Sequence, residues 1–175
     1  VRRFPSEIAT IADGRLVLRA DGSTLADARP VFVGRRQEHL TNEVSVRLDV
    51  SRGVGGVAVR YDEQFRIELE AGRGTVVARA SIGGLCQEWS HPFTGGHVDL
   101  HIASREPEGG AGLVSTSDVF HLAATIDGER VELARIDGRF LSSEVTESFT
   151  GRVIGVYAVE GDVAVESWLA EGNDE

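Results

Sequence analysis

Apolar and polar residues alternate with period two along most of the chain. In Glu43–Val50, Val44, Val46, Leu48 and Val50 fall on one face, and Glu43, Ser45, Arg47 and Asp49 on the other. The same beat runs through Arg15–Arg19, Gly56–Tyr61, Phe65–Glu70, Thr75–Ile82, His97–Ile102, Phe120–Ile126, Arg130–Ala134, Val153–Val159 and Val163–Leu169. Successive side chains of a strand point to opposite faces, so this pattern predicts half-buried strands. Asp62–Gln64, Asp127–Glu129 and Glu160–Asp162 read as the turns between neighbouring strands. Asp-Gly between alternating runs is a strong hairpin signal. About a dozen short strands with frequent turns, and no sustained helical periodicity, predict an all-β sandwich or barrel. Ser104–Asp118 (SREPEGGAGLVSTSD) is long and glycine-rich, which marks a functional or mobile loop.

Val31–Leu40 (VFVGRRQEHL) departs from this pattern. It starts apolar and then carries Arg35, Arg36, Gln37, Glu38 and His39 in a row. Alternation places Val31, Val33, Arg35, Gln37 and His39 on one face and Phe32, Gly34, Arg36, Glu38 and Leu40 on the other. Each face turns from apolar to charged partway along, and the two arginines cannot clamp one carboxylate together. Two readings stay open. One is a rim strand with solvated charges. The other is an arginine held in a polar network that faces a groove or a partner, a role that suits the planar guanidinium.

Composition narrows the partners. A length of 175 residues suits one domain, with the acidic tail 171–175 expected to be disordered. The hydrophobic share of 41% and charged share of 26% are ordinary for a globular chain. A net charge of −10 argues against nucleic acid and anionic membrane surfaces, because phosphate binding needs a basic footprint. Neutral oligosaccharides and other proteins remain. The single cysteine, Cys86, excludes an intramolecular disulfide and by its type is expected to be a small buried apolar residue. No apolar run is long enough to span a membrane and no leader opens the chain, so a cytoplasmic location is expected. A start at Val1, with no Met anywhere, is compatible with a fragment of a longer protein.

Candidate chemistry is sparse. His97, Asp99 and His101 share a strand face, and these residue types ligate metals. Neighbours two apart on a strand sit about 7 Å apart, which is too far to share one ion. The run therefore reads as a polar outer face over Val98, Leu100 and Ile102, with no metal and no cofactor expected. There is no GxSxG, HExxH, P-loop or GxGxxG, and Gly53–Gly56 lacks the helix that a phosphate cradle needs. No catalytic set emerges, although a carboxylate pair could hide among the 28 acids.

Two segments resemble a known family. They are ADARPVFVGRRQEHL (Ala26–Leu40) and DGRFLSSEVTESFTGRVIGVYAVEG (Asp137–Gly161). Both are similar to the C-terminal domain of family 43 glycoside hydrolases of the β-xylosidase type, and GGVAVRYDEQFRIELEAG and HVDLHI follow that domain's strand order between them. The likeness covers about residues 10–170. It implies a concanavalin A-like (jelly-roll type) β-sandwich of two antiparallel sheets. In family members this sandwich follows a five-bladed catalytic propeller, which carries the inverting carboxylates. The implied role is an accessory domain that packs on the propeller of an enzyme acting on xylan- or arabinose-containing glycans.

A phenylalanine of the family's sandwich helps close the sugar pocket, and Phe149 in SFTG is the match by motif. Read without the resemblance, Phe149 is a core residue where a strand begins. Arg35, Arg36 and Gln37 become docking or structural residues. The chain departs from the family at Val165–Trp168, where a Phe-Asp-x-Phe-like strand is usual, and its middle-strand aromatics thin to Tyr61 and Phe65. Two other functions stay in view. A free-standing carbohydrate-binding module would use an exposed Trp89 on a concave face. A complete small hydrolase or lyase would need facing carboxylates in a groove.

Overall fold

Two long strands organise the computed structural model, which describes residues 3–107 and 117–173. β4 (Thr41–Arg60) and β11 (Val153–Asn173) run antiparallel, side by side, over nearly their whole length. Their two halves belong to different sheets. Sheet one runs β3 (Phe32–Arg36), the start of β11, the end of β4, β5 (Phe65–Gly72), β6 (Thr75–Ile82) and β7 (Leu85–Pro92). Sheet two runs β1 (Ala9–Ala12), β2 (Arg15–Arg19), the end of β11, the start of β4, β8 (His97–Arg105), β9 (Val119–Ile126) and β10 (Glu129–Asp137). Every pairing is antiparallel. Among the described residues, helical structure is limited to α1 (Pro5–Ile8), α2 (Ser143–Thr146) and a 3-10 turn at Gly138–Leu141.

The expected break at Glu160–Asp162 is not a turn. The chain continues as one bent strand, with register shifts on either side of Gly161, which lies opposite Gly53 of β4. Gly161 takes φ +59°, and a Cβ on Gly53 would lie 2.5 Å from the carbonyl oxygens of Glu160 and Asp162. A bulge with glycine bends a strand and lets it pass from one sheet to the other. This paired corner joins Glu43–Val50 and Gly56–Tyr61, predicted as separate strands, into β4.

The sheets close on one apolar core. Leu48, Leu100 and Leu122 of sheet two meet Val57, Ile67 and Leu69 of sheet one, all fully buried. Each such side chain contributes roughly 1.5–3 kcal/mol by leaving water. The outer face of sheet one is not a simple solvated face. Leu25 packs there on Ala58 and Tyr157, with Phe32 beside them. Arg60 donates to the Leu25 and Asp27 carbonyls at 3.1 Å each, which fixes that segment over the sheet.

The tail expected to be disordered begins inside a strand, because Glu171–Asn173 pair with Thr41–Glu43. Asp174 and Glu175 lie outside the described residues. So do residues 108–116, the centre of the glycine-rich loop. No helix among the described residues is long and apolar enough to cross a membrane.

Candidate functional site

The link between β10 and β11 builds the most distinctive surface. Asp137 caps its 3-10 turn by accepting from the Arg139 amide at 2.9 Å. α2 then stops at Glu147, which adopts φ +52° and reverses the chain. Tyr61, just after the end of β4, donates its hydroxyl to the Ser148 carbonyl at 2.7 Å. Thr150 donates its hydroxyl to the Tyr61 carbonyl at 3.3 Å. The residues on both sides of Phe149 are thus tied to Tyr61, Ser148 through its carbonyl and Thr150 through its hydroxyl, while the Phe149 side chain is 95% exposed. The core reading of Phe149 is corrected: β11 begins only at Val153, so Phe149 precedes the strand and points away from the core. Phe93, in the other Phe-Thr-Gly, is 8% exposed and does join the core.

Four further exposed apolar side chains are Phe140, Val145, Leu85 and Leu40. Phe140 and Val145 lie on the same link as Phe149. Leu85 follows the β6–β7 turn, where the Gly83 amide donates to the Gln64 carbonyl of the β4–β5 turn at 3.1 Å. Leu40 offers its carbonyl to the Ser104 hydroxyl at 2.7 Å. Phe140, Val145 and Phe149 thus expose three apolar side chains on one short link, which marks it as an interaction surface.

The arginines flank this end. β3 is an outer strand of sheet one, and among the described residues it pairs only with β11. Arg35 pairs with Glu38 at 3.3 Å, both well exposed, which contributes little in water. Arg36 is exposed beside Gly151 and makes no ion pair among the described residues. Gln37 is a brace: its amide N–H donates to the Arg152 carbonyl at 3.0 Å, and its side chain donates to the His39 carbonyl at 2.8 Å. The fold therefore brings Arg36, Gln37 and the Phe149 link together. It leaves Trp89 out, because Trp89 sits on β7 opposite Ala78 and packs half-buried against the core. Cys86, expected to be buried, is exposed on the same strand opposite Ser81. Register on an edge strand, not residue type, decides its side.

The polar clusters are already paired. On the outer face of sheet two, His97 meets Glu166 at 3.2 Å and Asp99 meets Arg47 at 3.0 Å. His101 lies between the Ser45 and Thr125 hydroxyls at 2.9 and 3.0 Å, and burial lowers its pKa. Asp49, His97 and Glu166 each bring a ligand atom within 4.8 Å of the others. Arg47 and Arg15 already engage Glu166, and Arg15 also reaches Asp49, so these residues could hold a cation only by displacing two guanidinium groups. On sheet one, Glu68 is 4% exposed between Arg66 at 2.5 Å and Arg79 at 2.6 Å. Burial pushes the neighbouring Glu70 carboxyl up, and the Tyr157 hydroxyl donates to it at 3.2 Å. These two carboxylates are tied to arginine and tyrosine and do not face each other across a groove.

Sequence reasoning missed Arg152 and Asp118. Arg152 pairs bidentately with Asp118 at 2.5 and 2.9 Å beneath the Phe149 link. Neither carried a signal, since Arg152 reads as an ordinary charge before a strand and Asp118 as the end of a loop.

Comparisons with known proteins agree with this architecture. Residues 3–168 match the family described as the beta xylosidase C-terminal concanavalin A-like domain. Among solved structures, the Bacteroides ovatus xyloglucan PUL protein GH43B superposes with a TM-score of 0.80 at 19% identity, over 95% of this chain and 35% of that one. The xylan beta-1,4-xylosidase from Bacillus halodurans gives 0.76 at 18% identity, over 97% of this chain and 35% of that one. A GH43 protein from Bacillus licheniformis gives 0.77 at 17% identity, over 96% and 35%. The chain spans about a third of the length of each.

Proposed function

Because the chain belongs to the family of β-xylosidase C-terminal concanavalin A-like domains, we propose that it is the accessory sandwich of a family 43 glycoside hydrolase. The enzyme would act on xylan- or arabinose-containing glycans. The sandwich docks on a catalytic propeller through its Phe149 end, and Phe149 forms one wall of the sugar pocket. The observation that carries this reading is a phenylalanine 95% exposed between two residues that are both tied to Tyr61. A rigid apolar protrusion loses little freedom on docking, and burying it contributes roughly 1.5–3 kcal/mol.

In this role the sandwich supplies no acid or base. The two carboxylates of an inverting hydrolase, far enough apart to admit a water, belong to the propeller. The sandwich excludes bulk water from the pocket and fixes the sugar against them. Arg35 and Arg36 meet acceptors at the rim, and Gln37 holds β3 to the link. The acidic balance suits a neutral glycan, and an exposed free thiol suits a cytoplasmic protein.

The test separates the two domains into two polypeptides and measures their association. Phe149→Asp weakens binding by more than about tenfold. Leu169→Asp, at an exposed position elsewhere on β11, leaves it unchanged. Equal binding by the Phe149 variant removes this docking face. Heat on titrating the chain alone with xylo-oligosaccharides would favour a free-standing binding module instead.

A further inference from the structure

We infer that the Asp118–Arg152 pair is a positioning clasp for Phe149. The inference rests on the reading that Phe149 walls a sugar pocket, and it concerns what holds Phe149 there. Arg152 closes the link between β10 and β11. Its guanidinium reaches back to the start of that link, donating from Nε to the Leu141 carbonyl at 2.9 Å and from Nη2 to the Gly138 carbonyl at 2.6 Å. The same group binds both oxygens of Asp118. Asp118 is itself fixed: its carbonyl accepts from the Gly138 amide at 2.8 Å, and its carboxylate lies 2.5 Å from the Ser104 hydroxyl. Beneath them the guanidinium stacks 4.7 Å from the ring centre of Phe120, which is fully buried. One planar group therefore joins both ends of the link to the core. Lysine cannot copy that, because it is a point charge without the fork.

Gly138 completes the clasp. A Cβ at this position would fall well inside contact distance of Asp118 Oδ1 and 2.9 Å from Arg152 Nη2. Alanine there wedges the pair apart while every charge stays in place. The consequence is a link loosened at its base, with Phe149 held only through Ser148 and Thr150 at Tyr61 and the two sheets unchanged.

The test is amide hydrogen exchange on the 175-residue chain. Gly138→Ala and Arg152→Met speed exchange across residues 139–151 by about tenfold or more, while β5 and β9 stay within about twofold of wild type. Arg152→Lys behaves like Arg152→Met, and Phe149→Ala leaves exchange unchanged. Unaltered exchange in residues 139–151 for both Gly138→Ala and Arg152→Met overturns the clasp. So does an equal rise over all strands, which would make the pair a general core contact. In the enzyme assembled with its catalytic domain, Gly138→Ala raises KM as far as Phe149→Ala does, with kcat held, and the double variant is no worse. If exchange responds but Phe149→Ala leaves KM unmoved, the clasp stands and the pocket-wall reading falls.

Discussion

Gly161→Ala strikes the corner where β11 leaves one sheet for the other. At φ +59° a residue with a Cβ loses about 1–2 kcal/mol to left-handed backbone. The new Cβ would also fall well inside contact distance of the Arg52 carbonyl oxygen and 3.0 Å from Gly53 Cα, so β4 must shift. Overpacking of this kind costs typically another 1–3 kcal/mol. The smaller entropy of alanine in the unfolded chain offsets about 0.4–1 kcal/mol. The net loss is about 3 kcal/mol, which in a chain of this size lowers the melting midpoint by about 6–12 °C.

Gly128→Ala is the control. It also has a left-handed φ, +83°, in the β9–β10 hairpin, but nothing lies within 4 Å of its Cβ. It is expected to lose only about 0.5–1 kcal/mol, the backbone cost less the entropy offset. Urea unfolding, followed by the fluorescence of Trp89 in sheet one and Trp168 in sheet two, reads both variants. The same midpoint for Gly161→Ala and Gly128→Ala would refute the claim that the crossing strands need a bare backbone at this corner.

Two further outcomes follow from burial. Burial raises the Glu70 carboxyl above its usual value, so the folded state favours the protonated form, and its charge costs stability as pH rises through the folded pKa. Glu70→Gln, which keeps an oxygen for the Tyr157 hydroxyl, should raise the melting temperature near pH 7.5 and change it little near about pH 4; an equal gain at both would sink that assignment. Cys86 should react with a thiol reagent in the folded chain at close to its unfolded rate, and protection of about a hundredfold would restore the buried reading.

Strand after strand was legible, because one buried face imposes alternation and most of these strands have one. The misread corner at Glu160–Asp162 shows where that signal ends. Gly and acid between two alternating runs describe a turn and a bulge equally well, and only the partner strand, with Gly53 opposite, distinguishes them. The burial of Glu68 had no sequence signal, because it comes from Arg66 and Arg79 on its own and a neighbouring strand. Trp89 looked like a sugar platform, yet its register opposite Ala78 turns it inward. Phe149 was found only through family resemblance: a short motif named it, while apolarity alone argued for the core. Arg152 and Asp118 are far apart in sequence, and nothing in either segment announces the pair.

As proposed, the Phe149 end of the sandwich completes a sugar pocket on a catalytic domain. The most direct measurement is kcat/KM for short xylo-oligosaccharides in the enzyme carrying both domains, with Phe149 intact and as Phe149→Ala. Loss of a buried phenylalanine contact worth roughly 1.5–3 kcal/mol predicts a fall of about 10–150-fold. An unchanged kcat/KM, with the two domains still associated, would contradict it.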